Sequence, residues 1–279
     1  LLPLCFGAAT KFSQVSLDAD KRYTATLKLG ATTTTGDAEG EVLQTRPVTP
    51  EQVNADRIAQ ACERFTGPIE QVPPMHSALK HQGKALYEYA RAGIDIERPP
   101  RSVTLHRIDI LNWQGDVLEL DVQCSKGTYI RTLAQDIGEA LGCGAHLIGL
   151  RRTGSGGVRL DGAVTLEALM AMSEAERDAH LLPADILLND WPEVLLSEPE
   201  AARFLTGLRR RTSLADAPQV RVYGPHPEPG SHPDRRVLLG SAHIKGGELI
   251  PTRLLSPAEV EGMLTQSAPS AAVASASEI

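Results

Sequence analysis

The sequence predicts an α+β chain of two domains, and three observations carry that reading. Leu118, Leu120, Val122 and Cys124 alternate with Glu119, Asp121 and Gln123, the period of a strand with one buried face. After a glycine turn, Ile130, Leu133, Ala134, Ile137 and Leu141 recur at the spacing of one helix face. Beyond Asn189 the pattern changes to short apolar pieces between turn signals, as in a small β-rich unit. At 279 residues and 42% hydrophobic, the chain can bury a full core and suits two domains.

The elements follow in order. Tyr23, Ala25, Leu27 and Leu29 alternate with Thr24, Thr26 and Lys28, so this stretch reads as a strand. Thr33 to Gly40 is polar and rich in turn formers, hence a loop. Thr49-Pro50-Glu51-Gln52 has the signature of a helix start: a capping hydroxyl, proline at the first position and glutamine three after the cap. That helix presents Ile58, Cys62 and Phe65 on one face and stops at Gly67-Pro68. Pro73 to Pro100 is a basic insertion between proline-marked ends, holding a short helix around Lys84 to Arg91 that ends at Gly93. In the second unit Glu198 to Leu208 reads as helix, while Val220-Arg221-Val222 and Val237-Leu238-Leu239 read as short strands. Tyr223 to Arg236 holds four prolines and reads as a loop that need not be ordered. The Ser/Ala-rich end, from about Ser267, reads as a disordered tail. There are no internal repeats.

The net charge of −7 argues at face value against a nucleic-acid binder, but the charge is unevenly spread. Asp161 to Glu200 carries ten acidic residues against one basic, Arg177, whereas Pro73 to Arg107 carries six basic against three acidic. Phosphates respond to local basic surface, so RNA is not excluded. Cys5, Cys62, Cys124 and Cys143 form no CxxC pair and no zinc-ligand spacing with histidine. They read as reduced residues of a cytoplasmic protein, with no metal expected. No run is long enough to span a bilayer, and the apolar LLPLCFGAA lacks the basic flank of a signal peptide, so no membrane role is expected.

Lys126, Tyr129 and Arg131 fall where the strand ends and the helix begins. Backbone N–H groups are unpaired there, and that helix end favours anions. A cation, an aromatic ring and a guanidinium at one junction suit a nucleotide. They serve equally as solvated end-of-element residues, and the spacing alone leaves both readings open.

Four separated stretches break that tie. LLPLCFGAATKFSQ, DADKRYTATLKLGATTTTGDAEG, PPMHSALKHQGKALYEYARAG and CSKGTYIRTLAQDIGEALGCGAHLIGLRR resemble, in order, the bacterial TruB family of tRNA pseudouridine synthases. The resemblance runs nearly unbroken from Leu1 to about Leu187. It implies a pseudouridine synthase catalytic fold over residues 1–188, a mixed and mainly antiparallel sheet flanked by helices, with a thumb-like RNA-binding insertion at about 73–101. A PUA-like RNA-binding β domain would occupy 189–258, and 259–279 would be tail. The implied activity is isomerisation of the T-loop uridine 55 of tRNA, by base flipping, aspartate-dependent glycosidic cleavage and re-attachment through C5. No cofactor is implied, the partner is the tRNA T-arm, and a monomer is expected.

The same resemblance assigns residues. Tyr23 in KRYTA is similar to the tyrosine that stacks on the uracil and takes the C5 proton. Arg131 in KGTYIRT is similar to the arginine that pairs with the nucleophilic aspartate. Tyr129 and Leu150 match substrate-contact positions, and Lys11 and Asp37 match polar positions near the pocket, a phosphate contact and a loop-ordering hydrogen bond. Lys80, Lys84, Arg91 and Arg101 of the insertion, with Lys126, are candidate RNA contacts. The family's nucleophilic aspartate lies in a GxLDPxATG motif immediately before LLPLCFG, and this motif is not among residues 1–279. Residues 1–279 are therefore expected to belong to a longer enzyme and to be inactive alone. The alternative is an RNA-binding relative without catalysis, in which Arg131 is a cation without its carboxylate. A guide-RNA-dependent synthase subunit fits less well, because the thumb-like insertion belongs to the stand-alone class.

Overall fold

In the computed structural model, residues 1–225 and 236–266 are described. They divide into two compact units, one of Leu1, Asp18–Ser155 and Arg159–Ala163, the other of Leu2–Leu17, Gly156–Val158 and the chain from Val164 onward. The boundary expected near Asn189 is not where the packing divides. Leu188 is fully buried in the core of the second unit, as is Phe12 from near the N-terminus.

After a 3-10 turn at Gly7–Phe12 and the short helix α1 (Ser13–Asp18), the first unit is built on strand β1 (Lys21–Leu29). The loop expected at 33–40 is the tip of a hairpin, with only Thr33 taken into a strand: β2 (Ala31–Thr33) pairs antiparallel with β3 (Val42–Thr45). Helix α2 runs Ala55–Phe65, starting later than Thr49. Asn54 is the cap, its carboxamide oxygen accepting from Arg57 N–H at 3.0 Å, while Thr49 to Val53 close only a turn. Asn54 stands one turn before Ile58, the first buried residue within the helix, and its side chain outcompetes the earlier hydroxyl as cap. Gly67-Pro68 do more than stop the helix: they open strand β4 (Gly67–Gln71).

The insertion holds a two-residue hairpin, β5 (Lys80–His81) and β6 (Lys84–Ala85), and helix α3 (Leu86–Arg91). The longest strand, β7 (Arg101–Gln114), went unseen in the sequence; β8 (Val117–Cys124), α4 (Ile130–Leu141), β9 (Ala145–Ser155) and β10 (Val158–Arg159) follow. The sheet order is β10-β9-β1-β8-β7-β4, and the β9-β1, β1-β8, β8-β7 and β7-β4 pairs are antiparallel. Its apolar face, including Ala25, Leu27, Leu118, Leu120 and Val122, packs on Ile58 and Cys62 of α2 and Leu133 and Ile137 of α4.

The second unit has helices α5 (Leu166–Ala171), α6 (Glu174–Ala179) and α7 (Glu198–Leu205). Its sheet has the order β11-β13-β14-β15-β12, from β11 (Glu193–Leu195), β12 (Arg210–Arg211), β13 (Ala217–Pro225), β14 (Arg236–Lys245) and β15 (Glu248–Leu254). The β11-β13 pair is parallel, so the α+β molecule is mainly, not wholly, antiparallel. The expected loop from Tyr223 to Arg236 gives up both ends to strands; residues 226–235 lie outside the described residues. The expected tail is corrected over 259–266, which belong to helix α8 (Pro257–Gln266), and its remainder lies outside the described residues. Val260 supplies the reason: it is buried in the second core. Among the described residues no helix is long and apolar enough to cross a membrane.

Candidate functional site

The junction between β8 and α4 is held from several sides. Ser125 N–H donates to Thr104 C=O at 2.8 Å, and Ser125 Oγ accepts from Thr104 N–H at 2.9 Å, so the chain leaves β8 pinned to β7. Gly127 then takes φ +80°, a turn conformation open to glycine. Tyr129 stands at the N-cap of α4 with extended backbone, and its own side chain caps nothing. The buried side chain of Gln71 hydrogen-bonds both the N–H and the C=O of Tyr129.

Two residues on, the Arg131 guanidinium ties together three parts of the chain. Its Nη1 donates to Asp37 Oδ2 at 3.1 Å and to Thr35 C=O at 3.3 Å, and its Nη2 donates to His76 C=O at 2.5 Å. Asp37 also orders its own loop, as expected. Its Oδ1 accepts from Thr35 Oγ1 at 2.5 Å and from Glu39 N–H at 3.2 Å, and its C=O accepts from Thr33 Oγ1 at 2.7 Å. Leu147 N–H donates to Gly36 C=O, fastening this loop along β9. Within residues 1–279 the carboxylate that Arg131 meets is Asp37, 94 residues away. Both side chains are about three-quarters buried, where a charged pair is held by its geometry more firmly than at a free surface.

Antiparallel register brings Tyr23 to the same end of the sheet. Lys21 lies opposite Cys124 and Tyr23 opposite Val122 on β8, so the start of β1 adjoins the point where the chain leaves for α4. On the other side Tyr23 faces Arg152, whose guanidinium lies 5.7 Å from the tyrosine ring centroid. Leu150 faces Ala25, two residues along, and is half exposed. Burial, and next the Arg152 charge, push the Lys21 ammonium below its usual range. Arg152 and Gln71 were not singled out from sequence; the first is the second arginine of LRR, the second an isolated glutamine with no local signal. An open concavity of about 500 Å³ over β1 and β9 is lined in part by Thr24, Thr26, Leu150 and Arg151. Of the candidate residues only Leu150 lines it; Tyr23, Arg131 and Asp37 do not.

The remaining candidates are scattered. Lys80, Lys84, Arg91 and Arg101 are exposed on or beside the insertion. Lys84 lies 4.9 Å from the Tyr89 ring centroid and Arg91 5.2 Å from that of Tyr87, which stiffens both cations over aromatic faces. Lys126 donates to Asp18 at 2.8 Å, an exposed pair that an RNA phosphate would have to displace. Lys11 belongs to the second unit, where its ammonium donates to Leu254 C=O at 2.9 Å and to Glu259 at 2.5 Å. That pairing, invisible in sequence, absorbs the charge assigned to a phosphate. Cys62 and Cys124 are buried thiols pushed up to about 11 by burial, inert packing groups at neutral pH.

Comparison with known proteins shows the family. Residues 1–130 match the family profile described as TruB family pseudouridylate synthase (N terminal domain), and residues 131–189 match tRNA pseudouridylate synthase B C-terminal domain. The chain is 52% identical over 268 residues to tRNA pseudouridine synthase B of Verminephrobacter eiseniae, covering 95% of this chain and 78% of that protein. It is 57% identical over 263 residues to tRNA pseudouridine synthase B of Ralstonia nicotianae, covering 91% and 81%. Among solved structures, a Cbf5-Nop10-Gar1 complex matches with a TM-score of 0.65 at 23% identity, over 93% of this chain and 74% of the matched one. An H/ACA RNP bound to a substrate RNA containing 2'-deoxyuridine matches with a TM-score of 0.60 at 20% identity, over 89% and 69%. At these identities the two structures speak for the fold alone.

Proposed function

Because this chain belongs to the TruB family of pseudouridylate synthases, we propose that it carries the uridine pocket of an enzyme converting the T-loop uridine 55 of tRNA to pseudouridine. The observation that carries the reading is Arg131: a fixed, three-quarters buried guanidinium at a helix start, at the end of the sheet that also presents Tyr23.

The chemistry follows from what the reaction needs. The target uridine is stacked in a folded loop and must be flipped out before any group can reach its glycosidic bond. The N1–C1′ bond breaks, the C5–C1′ bond forms, C5 loses its proton and N1 gains one, so the product is an isomer and no redox partner is required. A carboxylate nucleophile drives the cleavage. Arg131 is the group that keeps such a carboxylate ionised and aimed, and Asp37 and the His76 carbonyl hold the guanidinium in place. Asp37 itself is spent: one oxygen serves Thr35 and Glu39, the other Arg131, so it positions and does not attack. Tyr23 stacks on the uracil and receives the C5 proton, with Tyr129 and Leu150 as further pocket walls. Lys80, Lys84, Arg91 and Arg101 meet phosphates of the T-arm, and the second unit is a PUA-like RNA-binding module.

The test is pseudouridine mapping on an unmodified tRNA transcript after incubation with the full gene product and, separately, with residues 1–279. Pseudouridine at position 55 from the full product supports the reading; none there, or pseudouridine only elsewhere, overturns it. Turnover by residues 1–279 alone would show that no aspartate of a GxLDPxATG motif is needed.

A further inference from the structure

We propose that Gln71 is a positioning residue of the uridine pocket. The inference rests on the pocket reading above. Gln71 is the last residue of β4, only 2% exposed. Its carboxamide meets the backbone of Tyr129 twice: Oε1 accepts from Tyr129 N–H at 3.1 Å, and Nε2 donates to Tyr129 C=O at 3.4 Å.

Only a side-chain amide offers one donor and one acceptor at the spacing a peptide group presents. Tyr129 is the N-cap of α4 and lacks the usual side-chain cap, so the angle at which α4 starts is set from outside the helix. Gln71 sets it, from a strand 58 residues earlier. Tyr129 and Arg131 are the pocket residues nearest to that backbone, and their side chains turn with it. The residue after Gln71 enters the basic insertion, and His76 of that insertion accepts from Arg131. The start of α4 is therefore fastened twice to the root of the insertion, once through its backbone and once through the guanidinium. Without the carboxamide, the Tyr129 C=O keeps its intrahelical bond from Leu133 N–H at 3.1 Å, but the Tyr129 N–H loses its partner, and the helix start relaxes to find another. A shift of about 1 Å at the pocket is enough to cost about 10²-fold in a positioned reaction.

The experiment reads pocket engagement separately from the rest of RNA binding. Two T-arm RNA hairpins are compared, one with uridine at the target position and one abasic there, and the ratio of their Kd values is measured. Stacking of one flipped base predicts a wild-type ratio of about tenfold. Gln71→Met, similar in size but without the amide, brings the ratio to about one and leaves the abasic Kd unchanged. Gln71→Glu keeps the acceptor for Tyr129 N–H and loses the donor, so its ratio falls between the two; it also decides the matter if Gln71→Met fails to fold. Either variant keeping the wild-type ratio, or weakening both hairpins by the same factor, makes Gln71 a packing residue and overturns the inference. Tyr129→Ala is the control on the pocket itself: a wild-type ratio near one, or a ratio unmoved by Tyr129→Ala, overturns the pocket reading and Gln71 with it.

Discussion

Arg131 and Asp37 are joined at 3.1 Å across 94 residues of chain, and each holds a further group: Arg131 the His76 carbonyl, and Asp37 the Thr35 hydroxyl. The pair is a brace between the start of α4, the β2–β3 hairpin tip and the root of the insertion. A brace of this kind fixes the guanidinium before substrate arrives, so no binding energy is needed to order it.

Asp37→Asn keeps the shape and removes the charge. The single-turnover rate of pseudouridine formation by the full gene product is expected to fall by about 10²-fold, because Arg131 loses its anchor and shifts. Arg131→Lys is expected to do at least as much harm, since an ammonium cannot hold Asp37 and His76 in a fixed fork. T-arm affinity measured alongside should stay within about twofold in both. Equal loss of affinity and rate would mean that the brace serves the fold and not the pocket.

Tyr23→Phe removes one hydroxyl from a ring that remains packed beside Arg152. The expected result is a turnover rate lower by about 10² or more with tRNA binding largely intact, the size of effect for a lost proton acceptor. A parallel loss of both would make Tyr23 a fold residue.

Gly138→Ala ought by helix propensity to stabilise α4 by about 1 kcal/mol. The structure reverses the sign. A Cβ at Gly138 would stand 2.2 Å from the Ala145 nitrogen and 2.4 Å from the Gly144 carbonyl carbon, so α4 would have to lift off β9. A loss of about 3 kcal/mol in denaturant unfolding is expected. A neutral or stabilised variant would show that α4 and β9 are not packed this closely.

Glu259 is held down to about 2, first by the Lys11 ammonium and then by the Ser256 N–H. A carboxylate depressed in the folded state adds stability above its unfolded value, 4.5, and that stability is lost as pH falls from about 4.5 toward about 2. Glu259 is partly exposed, so screening keeps the effect small: Glu259→Gln is expected to cost less than about 1 kcal/mol at pH 7. The difference from wild type should vanish near pH 2, which denaturant unfolding across that range would check. Lys11→Ala should behave as the same stability change with T-arm affinity unmoved; a specific loss of RNA affinity would restore Lys11 as a phosphate contact.

What the sequence determined by itself was local. The strand ending at Cys124 and the helix from Ile130 to Leu141 stand where their periodicity places them, because a period of 2 or 3.6 is written by near neighbours. Ordered motifs were enough to identify the family and to single out Tyr23, Arg131 and Asp37. Tertiary structure decided who meets whom. The start of α2 moved to Asn54 because only packing reveals which of two caps sits beside the buried Ile58. Residues 259–266 became helix because Val260 found a core to enter. Asp37 reached Arg131, Lys11 reached Glu259 and Gln71 reached Tyr129 over separations of 94, 248 and 58 residues. Such pairings depend on sheet register and on the crossing of elements, which no window of neighbouring residues contains.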